Sequence, residues 1–147
     1  MENIIDEIKI TYIRTSSHKV IKIFDSEQAY EYYIKSWDLQ SIELFEEFKI
    51  LLLNQASEVL GIYTVSKGGI SSTVVEIRHI IFIALKTNST GIIVAHNHPS
   101  GNLKPSSNDL KITEKINEAC KIMDLNLIDH LILSKESYFS FKDQGYL

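Results

Sequence analysis

Gly91-Ile92-Ile93-Val94-Ala95-His96-Asn97-His98-Pro99-Ser100-Gly101, followed by Ser106 and Asp109, is the stretch on which the fold and the site are read. Gly91 to Ala95 is a short continuous apolar run, the pattern of a strand buried on both faces. It leads directly into two histidines two positions apart. Alternate residues of an extended segment point the same way, so both rings can face one point. Pro99, Gly101 and Pro105 make the next segment a loop. Asp109 begins the helix after it, and the loop can fold that helix start back towards the histidines. The whole reads H-x-H-x7-S-x2-D. Two imidazoles and a carboxylate can supply three ligands to one divalent metal, and a catalytic zinc takes three protein ligands and leaves the fourth position to water. Ser106-x-x-Asp109 also matches a helix capping box. The two roles are compatible, because a helix start positions both side chains. H-x-H by itself is a weak signal, and the combination at this spacing is far more specific.

Working outward, the mixed apolar and β-branched residues from Ile8 to Ile23 predict one or two strands, the first on the Ile8, Ile10, Tyr12 alternation. Ser26 is the expected cap of a helix through Ala29, Tyr30, Tyr33 and Trp37. A second short helix is expected over Ser41 to Glu46. Phe48 to Leu53 predicts another doubly buried strand, with Val59 to Val65 as its hairpin return, ended by Gly68-Gly69. Apolar residues at 77, 80, 81, 84 and 85 form a helical stripe. A helix after the histidine loop carries Leu110, Ile112, Ile116, Ala119, Cys120 and Met123 on or near its apolar side. Leu125 to Leu133 and Tyr138 to Phe141 predict the last strands. Interleaved strands and helices imply an α/β fold, a mixed sheet flanked by helices on both faces.

At 147 residues the chain has the size of one ordinary domain, and 44% hydrophobic content is enough for a packed core. The formal net charge of -4 argues against strong non-specific nucleic-acid binding, which needs Lys and Arg to neutralise phosphate. The single cysteine, Cys120, cannot form an intrachain disulfide. Its place on an apolar stripe predicts a buried structural thiol. The acidic start Met1-Glu2-Asn3-Ile4-Ile5-Asp6-Glu7 lacks a basic leader, and no apolar run reaches the length of a membrane span. The expectation is a cytoplasmic protein with no membrane partner.

Hydrolysis at a metal also needs a base. Zinc lowers the pKa of water to about 7, and a nearby carboxylate can take the proton and return it to a leaving amine. Glu46 and Glu47 qualify on position, since they enter the Phe48 to Leu53 strand. In extended chain they point to opposite faces, so only one should reach the metal. Each can equally be a solvated charge at a helix end. Asp129 and His130 read as a satisfied, partly buried pair in preference to a supporting role at the metal. His18 and His79 have no partners visible in the sequence.

The pattern H-x-H-x7-S-x2-D resembles the JAMM (MPN+) metalloprotease motif. Ala95 to Gly101 more closely resembles the RadC-like branch of bacterial JAB-domain proteins. So do Glu46-Glu47-Phe48 before Leu51-Leu52-Leu53-Asn54, Lys67-Gly68-Gly69, Leu127-Ile128-Asp129-His130-Leu131-Ile132, and the ending Tyr138-Phe139-Ser140-Phe141 through Gly145. The resemblance spans about residues 26 to 147 and implies a RadC-like JAB/MPN domain there, preceded by a strand-rich extension over 1–25. It implies a cytidine-deaminase-like α/β fold and zinc (Zn2+) held by His96, His98 and Asp109, with water as the fourth ligand. It places the proton-shuttling base on Glu46, with Glu47 as the fallback if the register slips by one, and gives Ser106 a hydrogen bond to the developing oxyanion or the bound water. The implied activity is amide or isopeptide hydrolysis of a peptide or protein substrate.

Many MPN+ proteins carry Ser or Thr between the histidines, where this chain has Asn97, as RadC-like members do. Long RadC proteins also carry an N-terminal helix-hairpin-helix region, for which there is no room before Ser26. That departure, with the net acidity, counts against DNA contact. Two other readings stand beside the hydrolase: a DNA-repair or mobile-element accessory protein that binds DNA or a repair partner, and a silent module in which zinc only stabilises the fold. Zinc deaminases use H-x-E with P-C-x-x-C. A chain with one cysteine and no H-x-E is not one of them.

Overall fold

The computed structural model describes residues 9, 11–13, 19–68 and 74–147. Three apolar runs sit at the centre of the sheet: β1 (Glu47–Leu53), β3 (Gly91–Asn97) and β4 (Asn126–Leu133). Every residue of β1 and β3 is buried, as expected for strands covered on both faces. β2 (Val59–Lys67) forms one edge and the short β5 (Tyr138–Ser140) the other, in the order β2-β1-β3-β4-β5. The β3–β4 pair is parallel and the other pairs are antiparallel, so the sheet is mixed.

The pleat divides the core in two. Leu51, Leu53, Ile93, Ala95, Leu131 and Leu133 face helix α1 (Ser26–Ser36), which contributes Ala29 and Tyr33. Phe48, Ile50, Leu52, Ile92 and Val94 face helices α2 (Ile77–Lys86) and α3 (Ser107–Ile122), which contribute Ile80, Ala84, Ile116 and Cys120. Helices thus cover both faces, as the interleaved pattern predicts. The β3–β4 ladder carries one register shift, Ile92 pairing with Leu127 but Ile93 with Asp129. The extra residue, Ile128, exchanges the two faces of β4. His130 consequently shares the α2/α3 side with His96, while Asp129 turns towards α1.

Several local expectations change. Asp25, not Ser26, caps α1, its carboxylate accepting from Gln28 N at 2.8 Å. Ser26 is the first helical residue, and its hydroxyl meets Tyr138 and Asp143. Ser41 to Glu46 forms turns and no helix. The carbonyls of Ile42 and Phe45 are taken by the Asn97 side chain, at 2.6 and 2.7 Å, so they do not continue a helical ladder. Leu85 is 46% exposed and so drops out of the buried stripe of α2; Leu110 on α3 and Met123, just past its end, are exposed likewise. Ile8, Ile10 and Gly69 lie outside the described residues. Tyr12 is described and is not in a strand; its hydroxyl donates to Leu60 O. Ahead of α1, Lys22 makes an isolated bridge to Glu58, and Ile23 joins the α1-side core. Among the described residues, no helix is long and apolar enough to cross a membrane.

α1 is held by packing and by polar bonds, among them a fully buried one in which Tyr33 Oη donates to Ile93 O at 2.6 Å. Tyr33→Phe keeps the ring and removes that bond, and is expected to cost about 1 kcal/mol in urea unfolding. An unchanged unfolding midpoint would mean that the bond contributes nothing to docking α1.

Candidate metal centre

His96 is even-numbered on β3 and therefore lies on the α2/α3 side, beneath the start of α3. His98 stands just beyond the strand, its backbone N–H donating to Leu133 O at 3.1 Å. Asp109 sits in the first turn of α3. Ser106 caps that helix: its Oγ accepts from Asp109 N at 3.1 Å, and Asp109 Oδ2 accepts from Ser106 N at 2.6 Å. The capping box is therefore present, and it fixes the carboxylate that faces the histidines.

The three side chains converge. His96 Nε2 lies 3.0 Å from His98 Nε2 and 3.1 Å from Asp109 Oδ1, and His98 Nε2 lies 3.4 Å from Asp109 Oδ2. One ligand atom from each falls within 4.8 Å of the others, so the group could hold a metal ion. The chemistry of the donors fits a cation. His98 Nδ1 faces the carbonyl of Asn102, which can only accept, so this nitrogen carries the ring proton. In the neutral ring Nε2 is then a bare lone pair, turned towards a carboxylate and a second imidazole nitrogen. Burial alone would raise Asp109. Hydrogen bonds from His96 and His98, the charge of His96 and a hydrogen bond from Ser106 override it and hold the carboxyl well below the usual range. When Nε2 is protonated as well, His98 donates to Asp109, and that bond lifts His98 above an ordinary imidazole, against its burial. Each shift marks an anion that draws positive charge to this point.

Glu46 and Glu47 separate as the pleat requires. Glu46 lines a groove of roughly 660 Å³ together with His96, His98, Ser106 and Asp109. Glu47 turns to the α1 side, where Lys67 Nζ is 3.0 Å and Lys49 Nζ 3.6 Å from its carboxylate. Lys49 is itself buried, donates to Ser36 O at 2.7 Å and lies over the Trp37 ring. Glu47 is thus committed to a buried ion pair, and Glu46 is the carboxylate beside the histidines.

Two residues near the site were not singled out for it by sequence. Asn97, fully buried, points away from His96, His98 and Asp109. Its carbonyl oxygen accepts from Glu47 N at 2.7 Å, and its amide donates to Ile42 O and Phe45 O. It therefore clamps the turn that carries Glu46 onto the histidine strand. Its place between two inward histidines was the available signal, since it must face the opposite side. His130 is the second, and here the reading as a pair with Asp129 is corrected. Asp129 accepts from Ser140 Oγ, Lys142 N and the backbone N of His130. The His130 ring lies across the sheet, its Nε2 2.8 Å from His96 Nδ1 and its Nδ1 2.6 Å from Thr113 Oγ1. Complete burial, aided by the charge of His96, holds His130 well below an ordinary imidazole, so it is neutral. The extra residue on β4 hides this side of His130 from any period-2 reading. Burial pushes the Cys120 thiol up to about 11, which suits a structural role. His79 meets Tyr63 on the outer surface, and His18 lies outside the described residues.

Asn97→Ala leaves one buried N–H and two carbonyls without their partner. It is expected to cost on the order of 3 kcal/mol, measured by denaturant unfolding. A change below about 0.5 kcal/mol, the usual range for an inconsequential surface substitution, would show that the clamp is not holding this turn.

Residues 23–146 match the family model for the RadC-like JAB domain. A UPF0758 protein of Flavobacterium johnsoniae is 45% identical over 100 residues, covering 68% of this chain and 44% of the relative. One from Porphyromonas gingivalis is 40% identical over 103 residues, covering 69% and 45%. One from Aquifex aeolicus is 36% identical over 127 residues, covering 86% and 53%. The chain spans about half the length of these curated relatives. By the matched domain, and by an α/β fold that brings His96, His98 and Asp109 to one point, the chain belongs to the RadC-like JAB family.

Proposed function

We propose that this chain is a zinc-dependent hydrolase that cleaves an amide bond in a peptide or protein, as a peptidase or isopeptidase. The observation that carries the reading is the convergence of His96, His98 and Asp109 at the wall of a groove that Glu46 also lines. His96 and His98 would hold the ion through Nε2 and Asp109 through its carboxylate. Zinc at such a site supplies Lewis acidity and lowers the pKa of water to about 7. Glu46 takes the proton released as water attacks the amide carbonyl and returns it to the departing amine. Ser106 uses its oxygen as the acceptor of the cap, so its hydrogen can donate to the carbonyl oxygen as charge develops there. Phe48, Val75 and Ile112 give the groove an apolar side that excludes water from an extended substrate and strengthens each of these interactions.

Metal analysis tests the ligand set. Wild-type protein is expected to hold about one zinc per chain, the stoichiometry of a single three-residue site. His98→Ala is expected to lose it; retention would remove the assignment. Zinc-loaded protein is then screened against peptide and isopeptide libraries. Glu46→Gln should keep the metal and lose about 10²- to 10⁴-fold in turnover. Turnover surviving in Glu46→Gln would remove Glu46 as the base. Salt-dependent DNA binding without hydrolysis of any library member would favour the accessory role in DNA repair instead.

A further inference from the structure

The metal ligands His96 and Asp109 are joined by a chain of hydrogen bonds whose direction is fixed by counting protons. Thr113 Oγ1 lies 2.5 Å from the backbone carbonyl of Asp109. A carbonyl has no hydrogen, so the single hydroxyl proton of Thr113 goes there. The same oxygen is then an acceptor towards His130 Nδ1, 2.6 Å away, and that nitrogen must carry a hydrogen. The His130 ring is wholly buried, and among the described residues its two nitrogens meet Thr113 and His96 and no carboxylate, so it carries a single N–H and its Nε2 is a lone pair. His96 Nδ1, 2.8 Å from it, must donate. Neutral His96 is left with its lone pair on Nε2, the atom that faces His98 and Asp109.

We propose that His130 is a positioning residue for the metal centre: with Thr113 it forms a one-way relay from the His96 ring to the Asp109 carbonyl, and so fixes His96 as a ligand through Nε2. The relay crosses three elements. His96 stands on β3, His130 on β4, and Thr113 with Asp109 on α3. A flip of the His96 ring would set a carbon against His130 Nε2, and a shift of α3 would break the Thr113 bond and move Asp109 with it. The two ligands are therefore held in one mutual geometry. Phe141 stacks on His130 at 4.6 Å between ring centroids and Phe48 meets its edge, which keeps the relay dry and the ring in place.

The inference rests on the zinc reading above, so its test has one arm independent of metal. Nitrogen-15 shifts of the histidine rings in metal-free protein at pH 8 are expected to show His130 protonated at Nδ1 and bare at Nε2. A proton on His130 Nε2 overturns the relay whether or not zinc binds. The second arm is zinc affinity by chelator competition. His130→Phe keeps the aromatic packing and removes both nitrogens, and should weaken zinc about 10- to 100-fold. His130→Gln, which can accept from His96 and donate to Thr113, should recover much of that loss. Thr113→Val, nearly the same shape, should give a smaller loss in the same direction and serves if His130→Phe does not fold. Zinc affinity in folded His130→Phe or Thr113→Val equal to wild type overturns the positioning role. If wild-type protein takes up no zinc, the hydrolase reading and the positioning role at zinc both fail, while the His130 ring proton still decides the relay by itself.

Discussion

Burial of β3 on both faces is the constraint on which the rest of the molecule depends. A strand with helices above and below cannot choose where its side chains go, because a slip of one residue would exchange its two faces throughout. Ile92 and Val94 belong to the α2/α3 core, and Ile93 and Ala95 to the α1 core. The pleat then carries His96 to the groove side and Asn97 to the other. One apolar packing decision therefore sets both a member of the candidate metal-binding group and the clamp that holds the loop opposite it. The same logic runs along β1, where Phe48 pairs with His96. Glu46 falls on the histidine side and Glu47 on the side of the buried Lys49.

The polar groups at this end of the sheet do double duty. Asp109 closes the capping box of α3 and faces both histidines. Asn97 spends both amide hydrogens and its carbonyl on backbone groups that would otherwise be buried without partners. Such groups cost free energy unless paired, so each interaction that shapes the site is also one the fold needs. This coupling places His96, His98 and Asp109 through interactions that also hold the fold together. It also explains why Ser41 to Glu46 winds as turns: its carbonyls serve the strand beside it in place of a helix of its own.

Electrostatically the centre is built for positive charge. Three acceptor groups meet at the edge of an apolar core, and burial there makes uncompensated negative charge costly. Asp109 stays ionised because the histidines face it, and His98 gains proton affinity for the same reason. A divalent cation satisfies all three groups at once, which protons on two imidazoles do only in part.

Much of the fold was legible in the sequence. The central strands announced themselves as continuous apolar runs, the helices as 3.6-residue stripes, and His96, His98 and Asp109, the group that could hold a metal, through one local spacing that begins at a strand end and finishes at a helix cap. These are short-range signals, and backbone periodicity alone produces them. The family resemblance favoured Glu46, and the reason that Glu46 and not Glu47 faces the histidines is the pleat phase of β1, which comes from its pairing with β3. The position of His130 needed the register shift at Ile128, which no periodic reading of β4 reveals. The work of Asn97 and Thr113 needed distances between elements far apart in the chain. Sequence by itself thus determined which residues could chelate and which segments would pack. Only the tertiary structure decided which faces met, because side-chain direction in a sheet is a property of register, and register is settled by the partner strands.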